Sequence, residues 1–489
     1  MILDADSRYT MIFRRLILAA TTLPLAFAHP AAAQVESKQY DDGGVYEGTF
    51  KEGLQHGNGT YRLPNGYEYS GEWVEGEIKG EGIAKFPNGS VYEGSFSKGK
   101  PDGFGKISMA DGGTYAGDWA DGTIMGQGVS QHSNGERYEG GFRNGKRHGK
   151  GVMQTSTGYQ YKGDWVDGAA TGFATITDAE GAVYEGSVVN GARSGEGKLT
   201  HPEGFVLDGM WKSGQLNGKG KIIQANGDIY EGDLVDGRRE GQGISTTKDG
   251  DVYQGSYAAD QRAGQGTFTG VDGYIYSGNW VNGQSDGEGI VTYPDGSVQT
   301  GTFTANLAEG KGKITYPDGS TYEGDWVSGV IEGQGVATYP SGMVYEGGFV
   351  NARNDGQGVL TYSDGRRYDG GWKDGLRHGK GMTTYPDGTV YEGSFSGGTR
   401  NGAGVITMAS GFSYEGTWVD GEIEGQGIAT YANGDVYAGN FVGGKRQGPG
   451  SMRYASGQEV SGQWDGGALA EETIDVAPET EAEQETNGG

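Results

Sequence analysis

A strict period of 23 residues constrains this chain more than any other feature of its sequence. Tyrosine opens most units, as at Tyr46 and Tyr69, and the exceptions, Leu207 and Gln299, fall on the same grid. Nineteen units follow one another from Tyr46 without an insertion or a deletion. Below, a position within a unit is given as its offset from this first residue. A period of this length indicates one small structural unit that is stacked many times.

Within each unit, glycines and bulky apolar residues occupy fixed offsets. Glycine stands at offset 2 in every unit, and offset 4 holds all nine tryptophans of the chain, with Phe in many other units. Further glycines recur at offsets 11, 13 and 20, as in Gly57, Gly59 and Gly66. Because side chains alternate along a strand, offsets 0, 2 and 4 share one face, and the glycine leaves room there for a ring.

The remaining offsets complete a β-hairpin. Glycines at offsets 7 and 11, such as Gly53 and Gly57, bracket a short loop, and Asn65-Gly66 or Asp318-Gly319 supply turns tolerant of positive φ. Three or more glycines in each unit exclude a helix, and 100 glycines with only 12 prolines exclude collagen. The prediction is an all-β fold, an elongated single-layer antiparallel sheet of tandem 23-residue β-hairpins.

The two ends of the chain differ from the repeats. Arg14 and Arg15 precede the apolar stretch 16–28, and Ala31 to Ala33 form a small-residue cleavage site, which is typical of a secretory signal. The stretch is too short for a spanning helix, although an uncleaved anchor is the alternative, and Met11 is an alternative start to Met1. The predicted organisation is a signal peptide at 1–33 cleaved after Ala33, a lead-in at 34–42, the array at 43–467 and a disordered acidic tail at 468–489.

The repeat resembles the MORN repeat. The segment 322–335, Tyr-Glu-Gly-Asp-Trp-Val-Ser-Gly-Val-Ile-Glu-Gly-Gln-Gly, follows the family's Tyr-Glu-Gly-x-(Trp/Phe) pattern closely, and the resemblance covers 43–467. It implies a single-layer sheet of successive hairpins that serves as a scaffold or dimerisation module, with a proposed role in phospholipid contact. The family has no catalytic residues to carry over, and no room remains here for an added enzyme domain.

One face of the predicted sheet is the first candidate binding surface. A single layer exposes its aromatic face unless it curls or pairs, which favours a partner or a second copy. The candidate residues are Tyr322, Trp326, Tyr345, Phe349, Tyr368 and Trp372, together with their equivalents in other units.

Arginines in the hairpin loops form a second candidate. Many units that lack tryptophan carry one, whereas several tryptophan units carry an apolar residue such as Ile331, and Arg377 breaks this rule. The alternation implies an older duplication of 46 residues. Such a ladder suits phosphate headgroups or acidic partners, the alternative being solvated loop charge. The predicted ladder is Arg147, Arg193, Arg239, Arg262, Arg353, Arg400 and Arg446.

The alternation slips near Leu234 and Tyr257, and consensus residues are missing between about 174 and 300. Drift after the gain or loss of one unit and a bend or partner site are both open interpretations. The six histidines form no ligand cluster in the sequence, cysteine is absent, and no cofactor or metal is expected.

These features together predict a non-catalytic scaffold of the bacterial cell envelope, periplasmic or secreted, that binds a protein partner or itself. The alternatives are a peripheral phospholipid-binding protein and an envelope glycan binder, since exposed rings stack on sugars. A formal charge of −27 disfavours nucleic acid and anionic membranes. The identity of the partner does not follow from the sequence.

Overall fold

The computed structural model describes residues 34–472, and within them every regular element is a β-strand. The all-β prediction is confirmed for this part of the chain. Two compact units, Met1–Ala169 and Ala170–Gly489, divide it and are described separately. The predicted signal peptide lies outside the described residues, as does the chain after 472.

The first unit contains twelve strands, and each strand pairs antiparallel with the next. Their bounds are β1 Glu36–Gln39, β2 Val45–Lys51, β3 Leu54–Arg62, β4 Glu68–Val74, β5 Glu77–Lys85, β6 Val91–Ser97, β7 Lys100–Ser108, β8 Thr114–Ala120, β9 Thr123–Gln131, β10 Arg137–Arg143, β11 Lys146–Gln154 and β12 Gln160–Val166.

The second unit repeats this neighbour-to-neighbour pairing, and its first strand starts at the boundary. Its strands are β13 Ala169–Thr177, β14 Val183–Val189, β15 Ala192–Thr200, β16 Val206–Lys212, β17 Gln215–Ile223, β18 Ile229–Val235, β19 Arg238–Thr246, β20 Val252–Ala258, β21 Gln261–Thr269, β22 Ile275–Val281, β23 Gln284–Thr292, β24 Val298–Thr304, β25 Leu307–Thr315, β26 Thr321–Val327, β27 Val330–Thr338, β28 Val344–Val350, β29 Arg353–Thr361, β30 Arg367–Lys373, β31 Leu376–Thr384, β32 Val390–Ser396, β33 Thr399–Thr407, β34 Ser413–Val419, β35 Glu422–Thr430, β36 Val436–Val442, β37 Lys445–Arg453, β38 Glu459–Asp465 and β39 Ala468–Glu472.

Each repeat is a seven-residue strand followed by a nine-residue strand, as β26 and β27 show. Two residues, Ser328 and Gly329, join them, with φ of 49° and 84°. Positive φ at both positions defines the type I′ turn, whose twist matches that of the flanking strands. The predicted hairpin is therefore present, but its loop is shorter than the segment between the glycines at offsets 7 and 11, because the glycine at offset 11 lies within the second strand, as Gly57 does in β3. β39 completes the last hairpin at residues that we predicted to open the acidic tail.

A β-bulge recurs at the same place in most of the hairpins and explains the glycine at offset 11. In β26 and β27, Gly324 pairs with Gly335, but Trp326 pairs with Ile331, so the register shifts between them. The extra residues of β27 include Gly333, whose φ is 102°. A side chain at such an angle is strained, which is why this offset requires glycine.

The core consists of aromatic rings that lie on glycine backbone. Tyr345 covers Gly347 and Gly358, where an added Cβ would lie 2.8 Å from its Oη and 2.6 Å from its Cζ respectively. Its hydroxyl donates a hydrogen bond to the Gly348 carbonyl oxygen (2.9 Å). The prediction that offset 2 must be small so that a ring can lie there is confirmed.

Candidate functional site

The rings proposed as a binding face are buried within a single chain. Exposed fractions are 2% for Tyr322, 7% for Trp326, 0% for Tyr345, 5% for Phe349 and 0% for Tyr368. Trp372, at 7%, completes the set. The exposure that we expected of these rings is wrong, because neighbouring repeats cover each other's rings. Their role in binding stays a prediction.

Edge-to-face contacts connect these rings from one repeat to the next. The Tyr345 centroid lies 5.1 Å from Phe349 in its own repeat and 5.2 Å from Trp372 in the following one, at interplanar angles above 80°. Tyr368 continues the pattern with Trp372 at 5.2 Å and Phe395 at 5.0 Å. Such contacts favour the observed geometry by about 1 kcal/mol each, so this face is chiefly a core.

Most of the predicted arginine ladder also packs on this core. The Arg400 guanidinium lies 4.8 Å from the Tyr391 ring and 4.9 Å from Trp418, and it donates to the Tyr385 hydroxyl (2.7 Å). Arginines at the same offset make the same kind of ring contact at Arg147, Arg193, Arg239, Arg262 and Arg446, and at Arg377. These arginines stabilise the array through cation–π contacts, so their guanidinium groups are less available to an external ligand.

Arg353 does not belong to this set. It lies at offset 8 rather than 9, so it pairs with Val350 and points to the opposite face. Its side chain is 66% exposed and lies 3.9 Å from Asp374. Assigning it to the ladder overlooked a one-residue difference in register, which reverses the face of a strand residue.

The alternation of arginine and isoleucine has a packing explanation. In a repeat without tryptophan, Arg400 contacts Trp418 of the next repeat. In a repeat with tryptophan, Ile331 occupies the same offset, pairs with Trp326 of its own repeat and is 8% exposed. In the irregular middle the same positions remain filled. Leu234 is 2% exposed, and Gln299, which replaces the opening tyrosine, is 1% exposed and accepts a hydrogen bond from Tyr293 (2.5 Å). Buried packing thus continues through these repeats, although the row of ring-to-ring contacts is interrupted at Leu234 and Gln299.

A second tyrosine row, at offset 17, escaped the sequence analysis. Its members are half-buried at the turn that follows each nine-residue strand, at Tyr293, Tyr316, Tyr339, Tyr362 and Tyr385. Burial raises the pKa of Tyr316 above its ordinary value. The recurring Tyr-Pro-Asp-Gly at 293–296, 316–319 and 385–388 is the signal that could have identified it.

The face opposite the rings, called here the open face, carries a groove in the second unit. Its floor is the backbone of the paired glycines at offsets 2 and 13, and its walls are side chains at offsets 1, 12 and 14. One wall is a row in which acidic and apolar residues alternate strand by strand. This acidic–apolar row consists of Glu323, Val336, Glu346, Val359, Asp369, Met382, Glu392, Val405 and Glu415.

Metal-ligating side chains are scattered within residues 34–472. No group of three or more His, Cys, Asp and Glu side chains is placed to hold a metal ion there. Within the same range no helix has the length and apolar character needed to cross a membrane. The arrangement offers an aromatic core on one side and a regular polar groove on the other.

An all-β array of hairpin repeats with these two faces defines a repeat protein of the interaction class. The model of the MORN repeat matches eighteen segments that cover most of the sequence, so the chain belongs to the MORN-repeat family. Such repeats generally mediate protein or membrane interactions. The matched residues are 46–66, 69–91, 92–114, 115–137, 138–158, 161–183, 184–206, 208–229, 230–252, 253–273, 276–298, 300–321, 322–344, 345–366, 368–390, 391–412, 414–436 and 437–459.

Individual relatives are similar over limited stretches or at low identity. Alsin of Rattus norvegicus is 42% identical over 53 residues, which are 10% of this chain and 3% of alsin. The TCP domain of SAS-4 from Drosophila melanogaster is 12% identical, covers 40% of this chain and 88% of that domain, and gives a TM-score of 0.20. The TCP10 domain of Danio rerio CPAP is 15% identical over 56% of this chain and 98% of that domain, with a TM-score of 0.15.

Proposed function

We propose that this chain is a non-catalytic scaffold of the bacterial cell envelope that holds a protein partner, or a second copy of itself, against its sheet. The observation that carries the proposal is the difference between the two faces, one of which buries its rings while the other exposes repeated side chains. The rings are buried by their neighbours, so the array keeps its shape without a partner, and the open face repeats one surface unit after unit. A scaffold needs both properties, rigidity and a repeated contact surface.

The face that binds is best sought away from the buried rings. Tyr345 and Tyr368 are 0% exposed, so a partner on their side would meet half-buried residues such as Tyr339 rather than the rings themselves. The open face, in contrast, presents side chains that are accessible, for example Val336 at 37% and Val405 at 38%. We therefore place the main contact on the open face and keep the aromatic side as the second surface to test.

A phospholipid or glycan ligand has weaker support. The arginines that would meet phosphate groups are engaged with rings, and the net charge of −27 opposes an anionic membrane. Glycan binding through stacked rings needs exposed rings, and those at offsets 0 and 4 are buried. Both remain as outcomes of the test below.

Site-specific photo-crosslinking in cells tests this function. The full chain would carry a photo-crosslinking residue at Val359 on the open face or, in a second variant, at Tyr339 on the aromatic side. We expect a stoichiometric protein adduct, from a partner or from the chain itself, at Val359 and a weaker one at Tyr339. Adducts with lipid or glycan alone at both positions would reject the scaffold function.

The envelope location rests on residues 1–33 and has its own test. Fractionation of the source cells should place the protein outside the cytoplasm, and sequencing of its N-terminus should begin at Gln34. A cytoplasmic protein that retains residues 1–33 would refute export without affecting the scaffold proposal.

A further inference from the structure

The acidic–apolar row contains carboxylates that are not paired with a cation. Val359 lies directly between Glu346 and Asp369 in the register, and Val405 lies between Glu392 and Glu415. Among the described residues, Glu346, Glu392 and Glu415 form no ion pair. Glu323 and Asp369, in contrast, lie 3.4 Å from Lys313 and 2.8 Å from Arg367.

Elsewhere in the second unit, acidic side chains of the open face are paired with lysines. Around residues 208–254 the groove has lysine where the acidic–apolar row has valine, and Lys221 lies 2.6 Å from Glu231. Lys219 likewise lies 2.7 Å from Asp233. Between Glu346 and Glu415 the groove therefore combines three unpaired carboxylates with apolar side chains, although Asp369 is paired with Arg367 and Lys380 also lines this part of the groove.

The spacing of the carboxylates limits which regular segment of a partner could place a cation opposite each of them. Successive acids are two strands apart, which is about 9.6 Å at the usual strand spacing. A polyproline II segment advances about 9.3 Å in three residues, and every third side chain points the same way. Over the four intervals from Glu323 to Glu415 the mismatch is only about 1 Å.

Other regular segments match less well. A helix returns a side chain to one side every seven residues, about 10.5 Å, and accumulates a mismatch of about 4 Å over the same four intervals. A β-strand returns a side chain to one side about every 6.7 Å, so only its third return, at about 20 Å, comes near two acid spacings, and a strand would meet at most every second carboxylate.

Building on the proposed scaffold function, we propose that this groove binds an extended, polyproline II-like segment of a protein partner with lysine or arginine at every third residue. Its cations meet the unpaired carboxylates Glu346, Glu392 and Glu415. At Glu323 and Asp369 they replace Lys313 and Arg367, whose ion pairs are exposed. The two residues between cations contact Val336, Val359, Met382 and Val405. Because a polyproline II segment has no internal hydrogen bonds and little conformational freedom to lose, it docks on such a surface at low entropic cost.

Synthetic peptides test the match directly. The labelled peptide with five Pro-Pro-Lys triplets would be titrated with the full chain at low ionic strength, and fluorescence anisotropy would report binding. A peptide of five Pro-Pro-Pro-Lys units has the same number of lysines at the wrong spacing, and five Pro-Pro-Glu triplets reverse the charge. We expect the triplet lysine peptide to bind at least about 10-fold more tightly than the mis-spaced one, and the glutamate peptide not to bind.

Paired variants of the chain locate the site. The double substitution Val359→Lys and Val405→Lys places lysines where Lys221 occurs naturally, next to acids of the row. It should weaken peptide binding about 10-fold. The matched control, Ile244→Lys and Ile290→Lys, adds the same charge at the same offset, at residues that are 42% and 49% exposed. It should change binding less than about 2-fold, and circular dichroism should show both variants folded.

Three results would overturn the inference: no binding of the triplet lysine peptide, equal affinity for both lysine spacings, or equal losses in the two double variants. The last two would show non-specific attraction to an acidic protein. The scaffold function would survive these results if Val359 still crosslinks to a protein in cells. Absence of any protein adduct would instead refute the scaffold function itself.

Discussion

Gly358→Ala is predicted to open one repeat by displacing its tyrosine. An added Cβ would lie 2.6 Å from Tyr345 Cζ, well inside van der Waals contact, and the ring is fully buried. The ring has to leave its place on the backbone. The control is Gly319→Ala, in a turn where φ is 86° and no heavy atom lies within 4 Å of an added Cβ.

The size of the effect follows from what Tyr345 contacts. Displacement breaks its hydrogen bond to Gly348, which contributes about 1 kcal/mol. It also breaks two edge-to-face contacts, with Phe349 and Trp372, of about 1 kcal/mol each. The expected loss is about 3 kcal/mol, whereas Gly319→Ala strains only the backbone and should cost about 1 kcal/mol.

Native-state hydrogen exchange measures this loss repeat by repeat. Because 1.4 kcal/mol corresponds to a factor of about ten, protection of β28 and β29 should fall about 100-fold in Gly358→Ala. In Gly319→Ala the local protection should fall about 5-fold. The effect should fade within a few repeats, since each repeat contacts only its neighbours. Equal losses in the two variants would refute the idea that the glycine exists to accommodate the ring.

Three further predictions concern the core. Trp372→Phe should lower the free energy of unfolding, measured with denaturant, by about 1 kcal/mol more than Trp326→Phe. The Trp372 indole N–H donates a hydrogen bond to the Gly358 carbonyl oxygen (3.1 Å), whereas the buried Trp326 N–H has no partner among the described residues. Equal losses in the two variants would contradict this prediction. Arg400→Met should lower the free energy of unfolding by about 1–2 kcal/mol, and this loss should not depend on salt concentration. Arg353→Met should lower it by less than about 0.5 kcal/mol. Equal losses would show that the ring contacts of Arg400 contribute nothing. Burial raises the pKa of Tyr322 to about 12, so an unfolded chain, titrating near 10, loses this proton first. The free energy of unfolding should therefore hold up to about pH 10 and fall towards pH 12, and a flat profile would argue against it.

The hairpin could be derived from the sequence because its signals are local. Glycine at offset 2 predicted a ring on the backbone, and the glycine at offset 7 predicted a tight loop, which Ser328-Gly329 forms, although the loop does not extend to offset 11 as we expected. Repetition then removed the usual uncertainty about which strands pair. By the same alternation the acids at offset 1, such as Glu346, lie on the face opposite the rings, which we did not predict.

What the sequence did not reveal depends on contacts between repeats. Whether Tyr345 is exposed depends on Trp372, which lies in the next repeat, and no offset within one repeat reports that contact. Arg353 shows a different failure, because grouping loop arginines by charge ignored the single-residue offset that decides their face. The open-face groove arises where glycine pairs leave the floor bare, so it became evident only in three dimensions.

The recurring antiparallel register within each unit also restricts how such a protein can evolve. Unequal recombination between homologous segments adds or deletes whole repeats, and any such product keeps rings on one side and acids on the other. An insertion of a single residue within a strand would instead turn every later side chain of that strand over. The slip of the tryptophan alternation near Leu234 and Tyr257 has the form that one such exchange would leave, and a bend or partner site there stays the other interpretation. Selection can therefore change the number of repeats, and with it the number of carboxylates in the acidic–apolar row, one repeat at a time.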